Sequence, residues 1–138
     1  PAGIVNVPMW VGIRRMALPM IRYRMNPTEE RLRAMVEPLL STWDDDWAHY
    51  MGDSMRDFVL DLRIPPVAKD SELLSLSMPV LAFGADDDIS FPGQKMLPRL
   101  RALVPHVQTE MLSGCKHCPP TDAAFQQHFA NRIVEFLA

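Results

Sequence analysis

The sequence predicts an α/β fold in which a helical first part precedes a βαβα unit with two parallel strands, the remainder of the sheet missing. Three observations lead there. Apolar residues recur at helical intervals up to about Leu76. The run Pro79-Val80-Leu81-Ala82-Phe83-Gly84 is short, apolar and bounded by Pro and Gly, the pattern of a parallel strand buried on both faces. From there to the end, strand-like and helical runs alternate, which is the βαβ signature with its right-handed crossover.

Met9, Trp10, Ile13, Met16, Ala17, Met20 and Ile21 lie on one helix face, and Pro19 is expected to kink or divide that helix by removing a backbone donor. Asn26, Pro27 and Glu29 read as N-cap, first helical residue and capping-box acid of the next helix. Leu32, Met35, Val36, Leu39, Leu40 and Trp43 form its stripe. Asp44 to Asp46 place negative charge at the start of a third helix, favourable to its dipole. Its predicted buried side is Trp47, Tyr50, Met51, Met55, Phe58, Val59 and Leu62, and Pro65-Pro66 ends it. After the first strand, Met96, Leu97, Leu100, Leu103 and Val104 mark a helix that Pro98 starts late or bends. Val107 to Leu112 is the second strand. Thr121 or Asp122 then caps a last helix with Phe125, Phe129, Ile133 and Phe136 inward. Two parallel strands do not make a domain, because parallel sheets are normally covered on both faces and hold more strands.

Composition narrows the function classes. The chain of 138 residues suits one domain, and 48% apolar with 22% charged residues is ordinary for a globular protein. The net charge of −3 is spread along the chain without a Lys/Arg block, which argues against nucleic acid as a partner. Arg14, Arg15, Arg22 and Arg24 interrupt the most apolar helical stretch, so it is no membrane span. The chain starts Pro1-Ala2-Gly3 with neither a signal peptide's basic region nor its apolar core, and without an initiator Met, so residues upstream are expected to have been removed or left out of the sequence. Two cysteines make no disulfide framework, and a reducing, cytoplasmic setting is the expectation.

Polar residues at the ends of parallel strands project to the edge where open α/β folds bind ligands. Two such loops exist: Gly84-Ala85-Asp86-Asp87-Asp88-Ile89 and Gly114-Cys115-Lys116-His117-Cys118-Pro119. One offers carboxylates and the other an imidazole. A carboxylate that fixes a histidine's tautomer lets the ring act as base and then as acid. His49, His106 and His128 share no strand-end loop with an acid and read as surface or structural residues.

On these residues the chain resembles the C-terminal part of the α/β-hydrolases. The stretch Pro79 to Asp88 is similar to that family's acid-bearing strand and loop, in which the triad Asp follows a Gly by three positions. Counting from Gly84 gives Asp87, with Asp86 and Asp88 beside it leaving the register open. Met111 to His117 resembles the last strand and histidine loop, with Lys116 where the family often has Gly. The closing helix resembles the family's last helix. The helical first half, residues 1-77, is similar to the lid inserted before the acid strand, and residues 78-138 to the C-terminal βαβα part of the core. The resemblance implies a hydrolase cleaving a carboxylic ester or related acyl bond, with Asp87 and His117 as two members of a nucleophile-His-Asp triad. It implies no cofactor and no metal. The third member is expected in a Gly-x-Ser-x-Gly elbow, and no such pentapeptide occurs here, so neither Ser90 nor Ser113 is assigned as nucleophile. This chain alone is then expected to be inactive. Its expected partners are a small substrate with an apolar portion, met by the Met-rich lid face, and the missing N-terminal part or a symmetry partner covering the sheet edge.

Two other readings compete. Cys115-Lys116-His117-Cys118 is a C-x-x-C, which elsewhere marks redox or metal sites, although no second pair completes a four-cysteine zinc site. The Met-rich helices could instead form a non-catalytic interaction module, since methionine adapts to varied partners.

Overall fold

A computed structural model of the chain describes residues 9–58 and 66–138. It opens with α1 (Met9–Gly12), a π-helical turn (Ile13–Ala17) and α2 (Leu18–Met25). Pro19 accounts for the π turn. It has no N–H to return to the preceding turn, and the backbone rewinds there so that the Leu18 amide reaches back to Ile13. α3 (Glu29–Val36) is capped by Thr28, whose side chain accepts from the Arg31 amide, not by Asn26 as the sequence suggested. Asn26 instead ends α2, its amide bonded to the carbonyls of Arg22 and Tyr23.

The stripe from Leu32 to Trp43 belongs to two structures. α3 stops at Val36, Pro38 follows at once, and residues 37 to 44 form a turn-rich connector to α4 (Asp45–Asp57). Asp44 caps α4 through the Trp47 amide at 2.8 Å, as its charge pattern implied. The buried face of α4 matches the predicted one only in part. Ala48 and Gly52 are buried, Met51 and Met55 pack on the helical core, and Trp47, Tyr50 and Phe58 are exposed. Val59, Leu62 and Pro65 lie outside the described residues. That core joins Tyr23, Leu32, Met35, Val36, Leu40 and Ala48. Leu32 and Val36 are fully buried, each contributing about 1.5–3 kcal/mol by leaving water.

A short helix α5 (Asp70–Leu74) leads to β1 (Val80–Ala85), α6 (Gly93–Leu103), β2 (Val107–Leu112) and α7 (Ala123–Leu137). α6 starts at Gly93, ahead of the expected start, and carries Pro98 within it. β1 and β2 pair in parallel from Val80↔Val107 to Ala85↔Leu112, and among the described residues the sheet has these two strands alone. Val80 and Ala82 pack with Leu97 and Leu100 of α6, with Val104 just past its end and with Leu73 of α5. Phe83, Ala85, Leu112 and Cys115 pack with Phe125 of α7. β1 is only half-buried through Phe83, where the sequence predicted burial on both faces. α7, capped by Asp122, has no fully buried residue, and its Val134 and Leu137 stand in solvent.

Candidate active site

The parallel register brings the ends of β1 and β2 level, so the loops that follow leave the same edge of the sheet. They stay laced together beyond the ladder. The Asp86 amide donates to the Leu112 carbonyl at 3.2 Å, and the Asp87 amide to that of Cys115 at 3.0 Å. Gly114 turns the second loop with φ of 70°, in the left-handed region that favours glycine.

The three aspartates then part company. Asp86 faces the turn of the second loop. The Gly114 amide, helped by the Ser113 hydroxyl at 3.1 Å, holds its carboxyl below the usual range. Asp87 is exposed. Asp88 is the one that meets the imidazole: its Oδ2 lies 3.1 Å from His117 Nδ1. Its Oδ1 accepts from the amides of Ser90 at 2.7 Å and Phe91 at 2.9 Å, so the chain just downstream aims the carboxylate. The expectation of Asp87 beside His117 is thus corrected by one position. The loop folds back on Asp88 because its carboxylate caps the Ser90-Phe91 turn, while the Asp87 backbone is still tied across to Cys115.

Charge and burial agree with this pairing. Only 9% of the Asp88 side chain is exposed. Burial alone would raise its pKa, yet the bonds from His117, Phe91 and Ser90 prevail and lower it. His117 is raised, chiefly by the hydrogen bond to Asp88. Its ring remains 38% exposed, with Phe91 alongside at 5.8 Å between ring centres. The arrangement leaves Nε2 as the ring atom free for proton transfer once Nδ1 is held by a carboxylate.

The two cysteines go to different places. Cys115 is buried among Ala85, Leu112 and Phe125, and burial pushes its thiol pKa up, which makes it a poor nucleophile. Cys118 packs against the helical core, and both are free thiols. Cys118 also forms a parallel bridge with Leu40, a contact that sequence spacing gave no means of finding. From the first helical stretch, Met16 Sδ reaches the Ser90 hydroxyl at 3.5 Å, so the helical part abuts the acid loop. The other histidines are on the surface: His49 is 3.6 Å from Glu29, and His128 pairs with Glu110, which also binds Arg132 at 2.8 Å.

Compared by sequence, the chain matches no family model and no curated protein. Compared by structure, it matches several hydrolytic enzymes of one fold. Naproxen esterase from Bacillus subtilis aligns over 99% of this chain with a TM-score of 0.72 and 12% identity. A meta-cleavage product hydrolase from Pseudomonas fluorescens aligns over 99% with a TM-score of 0.66 and 17% identity. A carboxylesterase from Bacillus subtilis aligns over 86% with a TM-score of 0.61 and 19% identity. This chain has the fold of the C-terminal portion of an α/β-hydrolase. It spans about half the length of the α/β-hydrolases it matches, from 45% to 52% of those chains. Among the described residues no helix is long and apolar enough to cross a membrane.

Proposed function

We propose that this chain supplies the acid and the histidine of a nucleophile-His-Asp triad that cleaves a carboxylic ester or related acyl bond, with Asp88 and His117 in those roles. The observation that carries the reading is the Asp88–His117 contact at adjacent strand ends, on a carboxylate whose remaining oxygen is already bound by backbone amides. Residues 1-77 act as the lid and residues 78-138 as the core portion. In the reaction, His117 Nε2 takes the proton of a nucleophile as that group attacks the acyl carbon, and returns it to the leaving alcohol. A water then repeats the sequence on the acyl intermediate. Asp88 holds the Nδ1–H tautomer and stabilises the imidazolium that forms. Met16 and Phe91, beside the acid loop, favour a substrate with an apolar portion. The nucleophile and the oxyanion-hole donors come from a polypeptide segment that extends the sheet beyond β1 and covers the apolar face of α7. The cytoplasm is the compartment proposed, where Cys115 and Cys118 stay reduced.

The test is hydrolysis of p-nitrophenyl esters by this chain alone and by the longest polypeptide in which it occurs. The chain alone is expected to be inactive. In the active form, His117→Ala and Asp88→Asn should each lower kcat by roughly 10³–10⁴-fold, while Asp87→Asn stays close to wild type. Full activity of Asp88→Asn together with loss in Asp87→Asn would restore the original count from Gly84 and sink the assignment.

A further inference from the structure

The histidine loop is held from an unexpected side. The connector between α3 and α4 bonds to the residues on both sides of His117. The Ser41 hydroxyl accepts from the Lys116 amide at 2.8 Å and donates to the Cys118 carbonyl at 2.8 Å. The Ser41 amide donates to that same carbonyl at 3.0 Å, and the Cys118 amide donates to the Leu39 carbonyl at 2.8 Å. Lys116 Nζ adds a bond to the Glu37 carbonyl at 2.9 Å, just past the end of α3. One side chain therefore grips the backbone immediately before and immediately after His117.

The ring has few contacts of its own to orient it. It is more than a third exposed and its aromatic neighbour Phe91 stands 5.8 Å away, whereas Asp88 is fixed by two amides. The direction of the imidazole is then set by the loop backbone, and that backbone is set by Ser41. We propose that Ser41 is a positioning residue which clamps residues 116 to 118 so that His117 Nδ1 stays on Asp88. The proposal rests on the Asp88–His117 reading above. Ser41 is not assigned as a nucleophile, since its hydroxyl proton is committed to the Cys118 carbonyl rather than to a base, and its oxygen accepts from the Lys116 amide. Through this clamp the helical part holds the catalytic histidine, and residues 37 to 41 cannot lift away while the site stays assembled.

The experiment is an NMR titration of His117 in the isotope-labelled chain. The charged groups around the loop are Asp88, Asp86 against Gly114, and Lys116 with its ammonium on the Glu37 carbonyl. Asp88 is the one whose charge reaches the ring. Wild-type His117 is expected to titrate above 6.5 with its proton on Nδ1. Ser41→Ala should bring the midpoint back toward 6.5 and mix the tautomers, and Ser41→Thr should restore both. Thr28→Ala, which removes the α3 cap, should lower stability without moving His117. If Ser41→Ala does not fold, the size-conserving Ser41→Cys is read in its place with the same expectation. A folded Ser41 variant lacking the hydroxyl but keeping the wild-type midpoint and tautomer overturns the clamp alone. A wild-type His117 that titrates at or below 6.5 overturns the Asp88–His117 pair, and the clamp with it.

Discussion

At Asp88 three hydrogen bonds converge on one carboxylate, two from amides of its own loop and one from a ring in the loop after β2. The carboxylate is oriented before any substrate arrives, which is what a catalytic acid–base pair needs. The sequence made His117 legible as a lone imidazole at a strand end. Which of three consecutive aspartates meets it was not legible from a count that starts at Gly84. The deciding signal lies downstream, in a carboxylate two and three residues before amides it can cap, here those of Ser90 and Phe91. The pair also sets a pH dependence. His117 is raised, so its contribution to stability is complete below 6.5 and is lost as pH climbs through its folded value. Asp88 is lowered, so its contribution is complete above 3.8 and is lost as pH falls through its folded value. Urea denaturation across pH should therefore show the pair's full effect between these limits. Asp88→Asn should remove the part of the decline that begins just above 6.5, leaving a more alkaline limb from Cys115 and Tyr23, whose pKa values burial raises, and an acid limb from Asp86, Asp57 and Glu110, whose carboxyls are lowered. An unchanged decline just above 6.5 in that variant would mean that the ion pair does not form in solution.

The elements were easier to read than their faces. Among the described residues β1, β2, α6 and α7 lie where the apolar patterns place them, and the caps at Asp44 and Asp122 follow their charge and hydrogen-bonding chemistry. For α4 the periodicity places Met51 and Met55 on the packed side but misplaces Trp47 and Tyr50, because it weighs large apolar residues and overlooks small ones. Gly52 lets Leu32 and Tyr23 approach so closely that an added Cβ would lie 2.6 Å from Leu32 Cδ1, so the small face is the packed one. Trp47 and Tyr50 instead stack on each other at 5.2 Å on the outer side. A similar close approach governs the acid loop. A Cβ on Gly93 would lie 2.7 Å from the Gly84 carbonyl carbon and 2.8 Å from the Ala85 oxygen, backbone atoms at the end of β1 that cannot swing aside. Gly93→Ala is expected to push the start of α6 off β1 and cost about 1–3 kcal/mol, read as a lower urea midpoint with an unchanged slope. Gly12→Ala, where an added Cβ meets nothing within 4 Å, should match or exceed wild type. Equal stability of the two variants would show that α6 yields freely.

Across the whole molecule, the parallel pairing and its order were legible because only a strand-helix-strand alternation fits the second half. The attachment of the helical half was not, since the contacts between residues 37–41 and 116–118 join positions 75 to 79 apart and leave no local pattern. That separation bears on how the chain assembles. The entropy lost on closing a loop grows with its length, so these ties form only after the helices and the βαβ unit have taken shape. They are correspondingly the first long-range contacts to be released in a partial opening. Hydrogen exchange should find the Ser41, Lys116 and Cys118 amides opening together, ahead of the β1–β2 ladder. Exchange of those amides at the ladder's own rate would show one cooperative unit instead. The imidazole is then the last group to be set in place during folding and the first to come adrift on warming, while the helices around it are still wound.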